Sequence, residues 1–234
     1  ICTAQALLAI MAGMYAAYHG PQGIRAIAQR IHRSAVDLAT ALKEAGLSVR
    51  HDSYFDTIAV ELDEKLSEQI RIAAEAREIN LYYGDGVVQI SLDETVTSED
   101  LQDLAIVFTE ATARKVELQQ QNKDAYPESI KRITPYLTHP VFNSFQTETK
   151  MMRYIKRLEN KDISLVHSMI ALGSCTMKLN AATQLMPVSW PAFANIHPFA
   201  PQDQTAGYRQ IIDELEAYLC EITGFDACSL QPNS

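Results

Sequence analysis

The sequence predicts a mixed helix-and-sheet chain of the α/β class, with an α+β layer in its first half. Three observations carry that expectation. Apolar residues recur at helical spacing in Ile24, Ile27, Ala28, Ile31, Ala35, Leu38 and Leu42. The rhythm then changes: "SVRHDSYFDTIAVEL" (48–62) is rich in β-branched and aromatic residues, and Thr57 to Leu62 roughly alternates. Gly84-Asp85-Gly86 separates two strand-like runs in "NLYYGDGVVQISLD" (80–93), where glycine permits the positive φ of a hairpin turn.

Residues 1–19, "ICTAQALLAIMAGMYAAYH", contain no Lys, Arg, Asp or Glu. Without an initiating Met or a basic n-region they do not read as a secretory signal. The run is at the short limit for crossing a bilayer and is weakened by Thr3, Gln5 and two tyrosines. It reads as a buried Ala-rich helix packed inside a larger domain, and a chain that opens in mid-helix is expected to be cut from something longer. Gly20-Pro21 ends that helix, because proline cannot continue the hydrogen-bond ladder.

A long amphipathic helix follows from Ile24, with Gly46 where a C-terminal cap belongs. After the strand comes a helix from about Ser67 to Glu78, and then the two strands of the 80–93 hairpin, which should pair. Thr97 with Asp100 resembles a capping box, and Leu101, Leu104, Ala105, Phe108 and Ala111 give the next helix a buried face. Residues 24–113 thus form one α+β domain with helices over one face of a sheet, and residues 1–23 belong to whatever precedes it.

From Arg114 to 146 charge, glutamine and three prolines mix without periodicity, as in a linker or a wrapping segment. A helix is expected at Thr147 to Leu158. "QLMPVSWPAFANIHPFAPQD" (184–203) has four prolines and three aromatic residues, too irregular for an element and too apolar to lie free in water. Ile211, Leu215, Tyr218, Leu219 and Ile222 build a final helix capped near Gly224, and "DACSLQPNS" opens an extended segment.

The net charge of −9, with no Lys/Arg-rich block, excludes nucleic acid or an anionic membrane as the main partner. The four cysteines form no CxxC pair and match neither a zinc module nor a compact disulfide framework, which points to a reducing, intracellular setting. Gly84-Asp85-Gly86 lacks the third glycine and the following helix of a dinucleotide fingerprint. His19, His32, His51 and His139 make no H-x-x-x-H pair and read as surface or packing residues, so no metal site is expected. Cys220 and Cys228 read as small buried hydrophobes. Lys150, Arg153, Lys156, Arg157 and Lys161 are helically spaced among acids: a solvated face, or a docking patch for an acidic protein.

The densest chemical stretch is "HSMIALGSCTMKLN" (167–180). Gly173 lets the backbone approach a ligand, and a cation such as Lys178 can draw a thiol such as Cys175 toward thiolate. Spacing alone leaves two readings of 173–178, an active-site loop or a polar turn.

The runs "LGSCTMKLN" and "HPFAP", with "GYRQIIDELEAYLCEITGFDACSLQPNS", resemble the start of the C-terminal half of the glycine cleavage system P-protein family. Residues 1–112 are similar to the end of that family's N-terminal half, so the resemblance covers essentially the whole chain. It implies a fragment of a fold-type I, aminotransferase-like pyridoxal-phosphate enzyme. Residues 1–23 would end the large domain of the first half, 24–113 would be its small domain, 114–146 a linker, and 147–234 the truncated opening of the second, coenzyme-binding half.

In that family pyridoxal 5'-phosphate holds glycine as a Schiff base while CO2 leaves, and the aminomethyl group passes to the lipoyl arm of the H-protein. The resemblance places Ser174, Cys175 and Thr176 in the active-site wall, with His167, Lys178 and His197 as neighbours. It implies that the Schiff-base lysine lies beyond Ser234, so no residue of this chain anchors the coenzyme and the piece alone is inactive. It further implies a homodimeric parent, cytoplasmic in bacteria or mitochondrial in eukaryotes. Ala171 stands where the family usually has proline, which relaxes the backbone before the loop. The rival from another class is a non-catalytic interaction module or subunit that binds H-protein or a partner subunit through the basic helix.

Overall fold

A computed structural model of the chain describes residues 4–121, 124–163, 167 and 181–230. They fall into two compact units, Met14–Met151 and Ile1–Gly13 with Met152–Ser234. The chain is a mixture of helices with one small antiparallel sheet.

Helix α1 (Ala4–Glu44) is broken at Gly20, whose φ of 64° and ψ of 179° lie outside the helical range. A Cβ there would come 2.7 Å from the Phe142 carbonyl oxygen, so only glycine fits. Pro21 restarts the helix, its missing N–H falling where a helix start has no acceptor for one. The expected break is present, and the second segment begins three residues earlier than its apolar stripe. At the other end Gly46 takes φ 79°, its N–H bonding the Lys43 carbonyl at 2.9 Å and the Leu47 N–H bonding that of Leu42 at 3.0 Å. This doubled bond closes the helix, with Leu42 and Leu47 both buried beside it.

The 48–62 run forms two strands rather than one, β1 (Ser48–Val49) and β2 (Thr57–Glu61), paired antiparallel. With β3 (Tyr82–Gly84) and β4 (Val87–Ser91) they give the order β1-β2-β4-β3, and the expected hairpin turns at Gly86, φ 69°. Ile58 pairs with Ile90 and Val60 with Val88, so these four share one face and all enter the core. Leu38 and Leu42 of α1, Ile70 and Ala74 of α2 (Glu64–Glu75), and Leu104 and Phe108 of α3 (Ser98–Thr112) complete it.

Helix α2 starts earlier than its apolar pattern because the Asp63 carboxylate accepts the Leu66 N–H at 2.8 Å. It ends by Glu75, and Glu78 turns the chain away with φ 58°. The capping box of α3 is present: Thr97 Oγ1 accepts the Asp100 N–H at 3.2 Å and Asp100 Oδ2 accepts the Thr97 N–H at 2.7 Å. Residues 114–146 wrap. Val116 enters the core, the Gln121 N–H reaches Asp37 Oδ1 at 2.7 Å, and the Tyr136 hydroxyl donates to the Pro21 carbonyl at 2.6 Å.

Helix α4 (Glu148–Glu159) lies one residue from its expected place. In the other unit come the short α5 (Ala182–Leu185) and α6 (Pro191–Ala194), then α7 (Ala206–Thr223), capped by Gly224 with φ 73°. The Ala-rich helix forms, yet Leu7, Leu8, Ile10 and Met11 are exposed, because its residue types favour helix whether or not the face is covered. Residues 184–203 leave Met186, Val188, Trp190 and Phe199 exposed. Residues 226–230 are irregular, with no strand partner among the described residues.

Burial pushes the Tyr83 hydroxyl up to about 12, and that oxygen has no hydrogen-bond partner among the described residues. Tyr83→Phe should therefore leave stability unchanged or raise it by up to about 1 kcal/mol in urea unfolding, since it removes an unpaired buried polar atom. Bonds from Thr97 hold the Asp100 carboxyl below the usual carboxylate range, and the Thr95 hydroxyl and N–H do the same for Asp93. A depressed carboxyl stabilises the fold above its unfolded value of about 3.9 and loses that contribution as pH falls through its folded value. Urea midpoints measured down an acid series should drop below about pH 4, and less so in Asp100→Asn.

Candidate functional site

Ser174, Cys175, Thr176, Lys178 and Ala171 lie outside the described residues. His167 is exposed in a turn. His197, also exposed, closes its own turn: Nδ1 accepts the Phe199 N–H at 3.1 Å and its carbonyl accepts the Ala200 N–H at 2.9 Å. Its described partners are all local. Lys150, Arg153, Lys156, Arg157 and Lys161 are exposed along α4 and just past it, with Lys156 paired to Glu159 at 3.1 Å. Cys220 and Cys228 are free and only half-buried.

The polar side chain that the fold treats differently is His32, 2% exposed. It sits one helical turn from Ala28 and Ala35, inside the buried stripe of α1, and that position was the available signal of its role. Nε2 accepts the Ala125 N–H at 3.0 Å. Nδ1 lies 2.8 Å from the Phe55 carbonyl oxygen, which can only accept, so the partners assign the proton to Nδ1. The Phe55 ring stacks on the imidazole at 5.5 Å and 9°, and Tyr126 approaches it at 4.6 Å. One ring thus ties α1, the β1–β2 connection and the wrapping segment together.

Two clefts flank this tie. One, of about 620 Å³, is lined by Ile24, Arg25 and Gln29 of α1 and by Tyr126, Lys131 and Tyr136 of the wrap. The other, of about 720 Å³, is lined by Thr40, Lys43 and Glu44 with Asp52, Tyr54 and Tyr126. Lys131 pairs with Asp124 at 2.8 Å and also with Glu128. Its bond to Asp124 holds the lysine above and the carboxyl below their usual ranges, so neither is poised to exchange a proton near neutrality. Among the described residues no three His, Cys, Asp or Glu side chains gather as metal ligands.

Residues 1–108 match the family model described as glycine cleavage system P-protein. That stretch is a domain of the P-protein family. It is 52% identical over 237 residues to the glycine dehydrogenase (decarboxylating) of Vibrio parahaemolyticus, a match covering all of this chain and 25% of that protein. It is also 52% identical over 238 residues to the mitochondrial glycine dehydrogenase (decarboxylating) of Mus musculus, covering 23% of it. The chain therefore spans about a quarter of the length of the curated relatives it matches. No helix among the described residues is long and apolar enough to cross a membrane.

A P-protein's expected coenzyme needs a lysine amine that can lose its proton beside a phosphate cradle. The described residues do not fit that need. Lys43, Lys115, Lys131 and Lys156 are paired to carboxylates, and Lys65, Lys150 and Lys161 are exposed. What they build is a hydrogen-bonded tie with open clefts beside it.

His32→Phe keeps the ring stacked but leaves the Ala125 N–H and the Phe55 carbonyl without their partner. Urea unfolding should show a loss of about 2–4 kcal/mol, and hydrogen exchange at the Ala125 amide should accelerate.

Proposed function

We propose that the chain is part of a P-protein that decarboxylates glycine and passes the remaining aminomethyl group to the lipoyl arm of an H-protein. The observation that carries this reading is 52% identity extending over the whole chain to proteins named for that activity. Pyridoxal phosphate, when bound, supplies the electron sink for loss of CO2. In this reading the parent has a fold-type I, aminotransferase-like architecture, works as a homodimer, and sits in the bacterial cytoplasm or in mitochondria.

Within that parent, residues 24–113 act as the small domain of the first half, 114–146 as the connector, and 147–234 as the opening of the second half. Ser174, Cys175 and Thr176 form one wall of the active site, with His167, Lys178 and His197 around it. A thiol near a cation is suited to steer a disulfide, and hydroxyls to hydrogen-bond a substrate carboxylate. The lysine that anchors the coenzyme belongs to a later stretch of the family than the one matched here.

A second reading has one observation in its favour: Lys150, Arg153, Arg157 and Lys161 stand at helical intervals with exposed heads, as a docking stripe for an acidic protein would. Binding of H-protein without coenzyme absorbance would favour it.

Glycine–bicarbonate exchange, with pyridoxal phosphate and lipoylated H-protein, separates the outcomes. The full-length gene product should exchange, the 234-residue chain should not, and Cys175→Ala in the full-length protein should lose about 100-fold, the usual weight of one positioned catalytic group. Robust exchange by the 234-residue chain, or an inert full-length protein, would refute the assignment.

A further inference from the structure

Residues 126–136 form an arch pinned at both feet. At one foot the Ala125 N–H is held by His32 Nε2 at 3.0 Å; at the other the Tyr136 hydroxyl is held by the Pro21 carbonyl at 2.6 Å. Both anchors sit on α1, and the cleft of about 620 Å³ opens beneath the span between them. That volume falls within the range of about 300–1,000 Å³ typical of small-molecule sites.

The lining says which chemistry fits. Phe55, Tyr126 and Tyr136 offer rings, and Ile24, Ala28 and Ile130 offer aliphatic wall. Lys131 is paired with Asp124 at 2.8 Å and with Glu128, so its ammonium is taken up by these two carboxylates. Two guanidinium groups remain. Arg25 has no carboxylate or other acceptor among the described residues, and Arg132 lies 5.3 Å over the Tyr136 ring and 3.4 Å from Thr134 Oγ1, with no acid beside it. A neighbouring cleft of about 570 Å³ shares Arg25 and Tyr136, so the first guanidinium can be approached from both sides. Uncompensated planar cations at the edge of an apolar, ring-lined hollow select an anion that carries an apolar body, and a guanidinium matches a carboxylate with two parallel bonds.

We infer that this arch-covered cleft binds a small aromatic carboxylate, independently of the decarboxylase reading. Calorimetric and amide-shift titration of the 234-residue chain with indole-3-acetate should show saturable binding, with shifts at Arg25, Tyr126 and Tyr136. Tryptamine, with the same ring and the opposite charge, should not bind. Arg25→Gln should weaken indole-3-acetate about tenfold or more, the weight of a charged hydrogen bond. Gln29→Glu, which brings a repelling carboxylate to the same wall, should weaken it as well. It serves in place of Arg25→Gln if circular dichroism shows that variant misfolded. The inference is overturned by the absence of saturation, by equal binding of tryptamine, or by a folded Arg25→Gln protein of unchanged affinity. It is also overturned by binding that disappears in the full-length protein, which would give the cleft to that protein's own remaining segments.

Discussion

A buried imidazole between two backbone groups organises the unit Met14–Met151. His32 receives the Ala125 N–H on one nitrogen and faces the Phe55 carbonyl with the other, so a single ring satisfies two main-chain groups that come from distant parts of the chain. A buried N–H or carbonyl left without a partner costs about 1–3 kcal/mol, which is why a polar ring is tolerated in the apolar stripe of α1. Phe55, Tyr54 and Tyr126 close around it and keep water from competing. The wrapping segment has few core residues of its own, and Val116 is its one buried residue among those described. Its course over α1 therefore depends on point attachments: Asp37 to the Gln121 N–H, His32 to Ala125, and Pro21 to Tyr136.

Those attachments join the fold to its surface chemistry. The helix restarts at Pro21 after the break at Gly20, and at that edge the Pro21 carbonyl accepts the Tyr136 hydroxyl. Between that point and His32 the wrap stands off the helix, and the space beneath it is lined by rings and guanidinium groups. This places a shaped, charged hollow on the part of the chain that precedes the "LGSCTMKLN" run in sequence.

The elements that were legible in the sequence are those whose signals are local. The Thr97–Asp100 capping box, the Gly46 and Gly224 caps and the Gly84-Asp85-Gly86 hairpin each rest on a few adjacent residues whose backbone needs are specific. The start of α2 was misplaced because Asp63 sets it through one hydrogen bond and the apolar stripe begins later. The 48–62 run hid a chain reversal, since β-propensity does not distinguish one strand from two that pair with each other. The place of His32 in the stripe of α1 marks it as a packing residue, but its partners are backbone groups 23 and 93 residues away, so the tie it makes is not legible from spacing. The exposed apolar faces of α7 and of residues 184–203 follow the same logic: amphipathic pattern specifies a helix and a face, and leaves open what meets that face.

The central claim is that the His32 ring carries its proton on Nδ1 and uses Nε2 as an acceptor for the wrapping segment. Long-range ¹⁵N–¹H correlation of the His32 ring near neutral pH tests it most directly. A protonated Nδ1 and a bare Nε2, with coupling across the hydrogen bond to the Ala125 amide, is the predicted spectrum. A proton on Nε2, or fast exchange of both nitrogens with water, would contradict it and detach the wrap from its anchor.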